Sequence, residues 1–129
     1  MAGFDELEIG QVVQLGAAAV SGEAVASFAA FFAPAWPTDR GAPDAMVFAI
    51  WDGLADREAA GPPPAKRVGV DALRWFRNPP AGEVLRGRMT IMGKDLVGEA
   101  KGIVIAQHDL LDEAGRLVFS CLTRSVHPR

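Results

Sequence analysis

The chain of 129 residues is half hydrophobic and 22% charged, with 13 Lys and Arg against 16 Asp and Glu. This composition excludes a disordered chain, and a net charge of -3 without an Arg-rich helix argues against nucleic acid as a partner. No apolar run approaches the roughly 18 residues of a membrane span, so no membrane partner is expected. The length fits a single domain over residues 1–129. The opening Met1-Ala2-Gly3-Phe4-Asp5-Glu6 lacks the basic-then-apolar layout of a signal peptide, and the lone Cys121 excludes an internal disulfide. A cytoplasmic protein is therefore expected. Charge is unevenly spread: Met1 to Ala60 carries two basic and nine acidic residues, whereas Lys66 to Lys101 carries eight basic and four acidic ones. That basic segment reads as solvated strand faces or as contacts to a phosphorylated small molecule.

In chain order, Phe4 to Gly10 reads as an entry turn and Gln11 to Val20 as a β-rich stretch. Ser21 caps a helix in which Glu23 sits in the first turn and Val25, Phe28, Ala29 and Phe32 recur at helical spacing. Ala33 to Pro43 holds three prolines in eleven residues and reads as a loop. Asp44 to Ala59 reads as one long helix. Asp44 caps its free amides, seven apolar residues follow, and charge returns only before Gly61-Pro62-Pro63-Pro64 ends the element. Val47 to Trp51 also fits a short buried strand, but the length and the cap favour helix. Being apolar on nearly every side, this helix is expected to be surrounded.

Four strands are expected after it, at Arg67 to Phe76, Val84 to Met92, Gly102 to Leu111 and Leu117 to Val126. The turns between them are Asn78 to Gly82, Lys94 to Gly98 and Asp112 to Gly115. Consecutive strands with short turns predict an antiparallel meander. Leu85, Met89 and Ile91 share one face of the second of these strands, with Arg86 and Arg88 on the opposite, solvated face; Leu117, Phe119 and Cys121 share one face of the last. The expected fold class is α+β, an antiparallel sheet of about five strands wrapped around one long central helix.

With this order of elements the chain resembles the MaoC-like branch of the hot-dog fold, the family of (R)-specific enoyl-CoA hydratases and dehydratases. The resemblance runs over nearly the whole length. Phe4-Asp5-Glu6-Leu7-Glu8-Ile9-Gly10-Gln11 looks like that family's opening, and Val20-Ser21-Gly22-Glu23 with Phe28-Ala29 looks like its first helix. Gly69-Val70-Asp71-Ala72-Leu73-Arg74-Trp75 with Pro80-Ala81-Gly82-Glu83 looks like its strand leading into a Pro-x-Gly-Asp turn. The resemblance implies a dimer whose sheets join edge to edge, no cofactor, and an acyl-CoA or acyl-carrier thioester as the ligand between subunits. It also implies an Asp and a His five residues apart in the loop after the first helix, activating the water that adds to the enoyl thioester. Here those positions fall on Ala33 and Thr38 or, one residue on, on Pro34 and Asp39. Neither register supplies an acid/base pair, and a positioned general base contributes about 10²- to 10⁴-fold, so ordinary hydratase activity is not expected.

The second part of the family's site is the N-terminus of the central helix, at Asp44, Ala45 and Met46, where free amides can hold a thioester carbonyl as it gains negative charge. An ionised Asp44 aimed at those amides would occupy them, and a plain cap is its simpler role. The candidate substrate-binding residues are Trp36, placed in the Pro-rich loop to cover a pocket or a dimer seam, with Thr38, Ala45 and Met46. Trp51 and Trp75 read as core. The candidate catalytic carboxylates are Asp39, Asp44 and Asp52. Asp39 with Arg40 is either a displaced carboxylate with its partner or a surface ion pair. Asp52 resembles the water-activating carboxylate that phenylacetate-pathway thioesterases carry on their central helix, although no His-Gly-Gly accompanies it; with Asp56 one turn later it equally fits a solvated stripe.

Arg74, Arg77, Arg86 and Arg88 are candidates for coenzyme A phosphates. His108 beside Asp109 and His127 in the terminal tail are not expected to act, because neighbours on a strand point to opposite faces. No metal-ligand spacing appears. Three functions remain open: a thioester-binding protein without ordinary hydratase activity, a thioesterase using Asp52 or Asp39, and a non-catalytic subunit of a hot-dog heteromer.

Overall fold

A computed structural model describes residues 3–58 and 66–129, so the Gly61-to-Pro64 stop and Ala59 lie outside the described residues. A 3-10 turn at Phe4–Glu6 leads into strand β1 (Val12–Ala19) and helix α1 (Gly22–Phe32). A second 3-10 turn, Thr38–Arg40, interrupts the Pro-rich loop before helix α2 (Asp44–Glu58). Strands β2 (Lys66–Trp75), β3 (Val84–Leu96), β4 (Lys101–Leu111) and β5 (Leu117–Pro128) complete the chain. The expected α+β architecture is therefore present, and Val47–Trp51 is helix. The α1 cap is also as expected: Ser21 Oγ accepts the Ala24 amide at 3.2 Å, and Val25 and Ala29 turn inward.

The five strands form one antiparallel sheet in the order β1-β3-β4-β5-β2. The meander is thus confined to β3, β4 and β5, which corrects the expectation that β2 pairs with β3. Instead β2 lies at the far edge, where Trp75 pairs with Phe119 and the Phe76 amide donates to the Val118 carbonyl at 2.9 Å. The stretch 77–83 crosses the end of the sheet. Pro79 and Pro80 suit a crossing and not a two-residue hairpin turn, since proline lacks the amide that the turn geometry uses. Arg77 fastens the crossing: its guanidinium donates to both Glu83 carboxylate oxygens and to Asp112 Oδ2 at 2.9 Å.

The expected turn at Lys94–Gly98 is also corrected. The β3–β4 ladder continues through Lys94, Asp95 and Leu96, opposite Val104, Ile103 and Gly102. Lys94 stays in the strand because its ammonium donates to the Leu7 carbonyl at 2.7 Å and lies 4.5 Å from the centre of the Phe4 ring. Gly102 is required opposite, since any Cβ there would collide with that ring. β5 likewise runs past Val126, pairing His127 with Gly102.

β4 alternates strictly, with Gly102, Val104, Ala106, His108 and Leu110 inward. Two apolar clusters occupy the inner face. The larger surrounds α2 and includes Leu15, Val47, Trp51, Leu54, Leu85 and Phe119; the smaller gathers Phe4, Leu7, Ile91, Val104 and Ala106 beneath the N-terminal turn. The helix is not surrounded as expected. Met46, Val47, Trp51 and Leu54 are buried, whereas Ala45, Ala49 and Asp56 form an exposed stripe. A curled sheet of one chain covers only one side of the helix.

Candidate functional site

The corner where α2 begins is built by the Pro-rich loop and the crossing segment. Gly41 adopts φ +97° and fits so closely that a Cβ would lie 2.6 Å from the Asn78 carbonyl oxygen and 2.7 Å from that of Pro79. Only glycine suits that backbone. The Ala42 amide then donates to Pro79 O at 2.9 Å, and Asn78 Nδ2 donates to Ala42 O at 2.8 Å. Trp36 is half-buried and donates its indole N–H to Gly41 O at 2.9 Å. The Trp36 ring is covered by Arg40, whose guanidinium lies 5.1 Å away, so Arg40 does not pair with Asp39 as the sequence suggested.

Asp44 is not the cap. It is the first residue of α2, and the Pro43 carbonyl accepts the Met46 and Val47 amides, each at 3.0 Å. The Asp44 carboxylate instead accepts from Asn78 Nδ2 at 2.9 Å, and its carbonyl accepts the Trp75 indole at 2.8 Å. A proline one residue earlier already provides the fixed extended geometry of a helix entry, which displaces the cap from Asp44. The Met46 amide is consequently occupied and its side chain is buried, leaving the Asp44 and Ala45 amides of the first turn without intrahelical partners. Thr38 and Asp39 are exposed in the 3-10 turn of the loop. Trp75, expected in the core, is 37% exposed and rests against Phe119.

Asp52 sits elsewhere. Its carboxylate meets the Arg67 guanidinium at 2.7 Å, while Arg67 covers the Trp51 ring at 4.9 Å. Eight residues of helix separate Asp52 from Asp44, roughly 12 Å at 1.5 Å per residue. The three candidate carboxylates are therefore not brought together. Of the candidate phosphate-binding arginines, Arg77 is held by two carboxylates and Arg88 pairs with Asp109 at 2.9 Å. The reading that His108 and Asp109 form no dyad holds: they lie on opposite faces.

A cavity of about 80 Å³ lies beyond the last turns of α2, between the two apolar clusters. Leu7, Leu15, Ala55, Met89, Ile91 and Ala106 give it an apolar wall. Arg67, His108, Thr123, Ser125 and His127 give it a polar one. His108 Nε2 and Thr123 Oγ1 are hydrogen-bonded at 3.0 Å, and His108 Nδ1 is buried without a partner among the described residues. Burial pushes the His108 imidazole down to about 4, helped by the Arg67 charge and opposed by Asp109. Burial lowers His127 as well and pushes the Cys121 thiol up to about 12. Both imidazoles are neutral near pH 7. Sequence reasoning missed this polar wall. Extending the Phe119–Cys121 alternation by three steps would have placed Thr123, Ser125 and His127 on the same inward face.

The sequence matches no protein-family model and no curated protein. Solved structures do match. A MaoC-like dehydratase from Rhodospirillum rubrum superposes with a TM-score of 0.87 at 22% identity, over 100% of this chain and 98% of that one. An R-hydratase from Pseudomonas aeruginosa gives a TM-score of 0.78 at 18% identity, over 98% and 86% of the two chains. A Mycobacterium tuberculosis protein with a double hotdog fold gives 0.77 at 20%, this chain covering 44% of it. The chain has the hot-dog fold, and it shares that fold along its full length with structures of MaoC-like dehydratases and R-hydratases.

Proposed function

We propose that this is a MaoC-like hot-dog protein that holds an acyl-CoA or related thioester at the N-terminal corner of α2 and lacks ordinary enoyl-CoA hydratase activity. The observation that carries the reading is the loop before α2. It keeps the fold's helix entry, with the Asp44 and Ala45 amides available to a thioester carbonyl, while Ala33 and Thr38 stand at the positions where the resemblance implies an acid/base pair. Asp39 is exposed in that loop, and Asp44 is engaged by Asn78. Binding the carbonyl without delivering a proton polarises the thioester but leaves water addition without its base. A thioesterase reading would need Asp52 or Asp39 to activate water; the pairing of Asp52 with Arg67 and the exposure of Asp39 in the loop count against those roles.

The unit is a homodimer joined through β2. That strand is an outer strand of the sheet, and Val68, Leu73 and Phe76 on or just beyond it are exposed. Titration calorimetry with crotonyl-CoA and a longer enoyl-CoA, with absorbance of the conjugated thioester followed in the same samples, tests the function. Binding with constant absorbance is expected. Turnover would overturn the loss of hydration chemistry, and absence of binding to a monodisperse homodimer would overturn the thioester site. Native mass spectrometry distinguishes that homodimer from an obligate heteromer. Asp52→Asn is expected to leave binding unchanged.

A further inference from the structure

We infer that the cavity beyond the C-terminal half of α2 is a second ligand site, which takes a small uncharged molecule or group with an apolar body and one hydroxyl. It is independent of the thioester reading. Ala55, which lines it, lies eleven residues after Asp44, roughly 16 Å along the helix from the corner.

The size sets the first limit. A cavity needs about 10–15 Å³ of probe-occupied space per water, so about 80 Å³ accommodates a chain of roughly five to eight heavy atoms. The wall chemistry sets the second. A core that served packing alone would place apolar residues on the inner rows of β4 and β5, as Val104, Phe119 and Cys121 do. Beside the cavity the inner row of β5 instead carries Thr123, Ser125 and His127 in succession, and β4 adds His108 between Ala106 and Leu110. His108 is 4% exposed and Thr123 satisfies one of its ring nitrogens, leaving the other as a buried group without a partner among the described residues. Such a group is unfavourable unless something bonds it.

Charge sets the third limit. The cation at the cavity is Arg67, and Asp52 already pairs with it at 2.7 Å. The remaining polar groups are hydroxyls and neutral imidazoles. An entering carboxylate would meet a cation whose charge Asp52 already balances, and an ammonium would meet that cation itself, so either would lose its hydration without net compensation. A hydroxyl can both donate and accept, which suits a wall of neutral imidazole and Ser/Thr oxygens.

The test uses protein with 13C-labelled histidine, titrated with 1-butanol, 1-chlorobutane and propionate, probes of equal heavy-atom count. Saturable shifts of the His108 and His127 ring resonances with 1-butanol are expected, with binding about tenfold tighter than that of 1-chlorobutane or propionate, the scale of one good hydrogen bond. Thr123→Val should reduce the preference for butanol over chlorobutane at least threefold, and Ala106→Leu should abolish binding by filling the cavity. If Ala106→Leu does not fold, the discrimination among probes by the unsubstituted protein still decides. No saturable histidine shift with any probe, or propionate or chlorobutane binding as tightly as butanol, would overturn the inference.

Discussion

The two ends of α2 present opposite kinds of chemistry. At its N-terminal end the side chains that looked chemical are exposed or tied into the backbone: Asn78 bonds Asp44 and Ala42, Trp36 bonds Gly41, and Trp75 bonds the Asp44 carbonyl. Beside its C-terminal half two histidines are inside, with His108 desolvated beneath Trp51 at a ring separation of 4.9 Å. Position in the fold and not residue type decides which groups are perturbed. Burial makes the difference, because an imidazole desolvated between helix and sheet loses its charge.

Substitutions and pH can break this contrast, and the largest effect belongs to the buried end. Trp51→Ala removes a fully buried indole that contacts Phe48, Phe119 and His108, and should cost about 3–5 kcal/mol in urea unfolding. A loss below 1 kcal/mol would mean that the buried end is not tightly packed. Acid comes next. The folded His108 binds a proton less readily than the unfolded chain, so its contribution is complete above the ordinary histidine range near 6.5 and is lost as pH falls from there to about 4. The difference corresponds to roughly 3 kcal/mol. Unfolding free energies measured at pH 7.5 and 4.5 should show most of it, and His108→Gln should flatten the dependence. Equal slopes for the two proteins would place the acid sensitivity elsewhere.

At the exposed corner, Gly41→Ala forces a left-handed backbone and a collision with two carbonyls, and should cost about 1–3 kcal/mol. It should also weaken thioester binding, since the same turn sets the entry of α2; unchanged affinity would separate the corner from the ligand. Asn78→Ala removes donors to Ala42 O and Asp44 Oδ1 and should cost about 1 kcal/mol by the same assay. The smallest effect is expected at Asp39→Asn, within about 0.5 kcal/mol, as for an exposed loop residue. A larger change in thioester turnover or binding than in stability would give Asp39 a role.

The sequence by itself determined the elements. Proline and glycine punctuation, the Ser21 cap and period-two alternation are local signals, so they located both helices and all five strands within a few residues, and named the fold that the solved neighbours share. Through the residues at Ala33 and Thr38 it also led to the expectation of a loop without an acid/base pair. Only the tertiary structure decided which strand lies beside which. The β2–β5 pairing depends on contacts between Trp75 and Phe119 and on the Arg77 bonds to Glu83 and Asp112, residues up to 44 positions apart whose spacing leaves no local trace. The same is true of the cap, the Asp52–Arg67 pair and the two histidines. Whether a polar side chain is a surface group or a desolvated one depends on what the rest of the chain packs over it, and that becomes fixed only when the sheet closes around the helix.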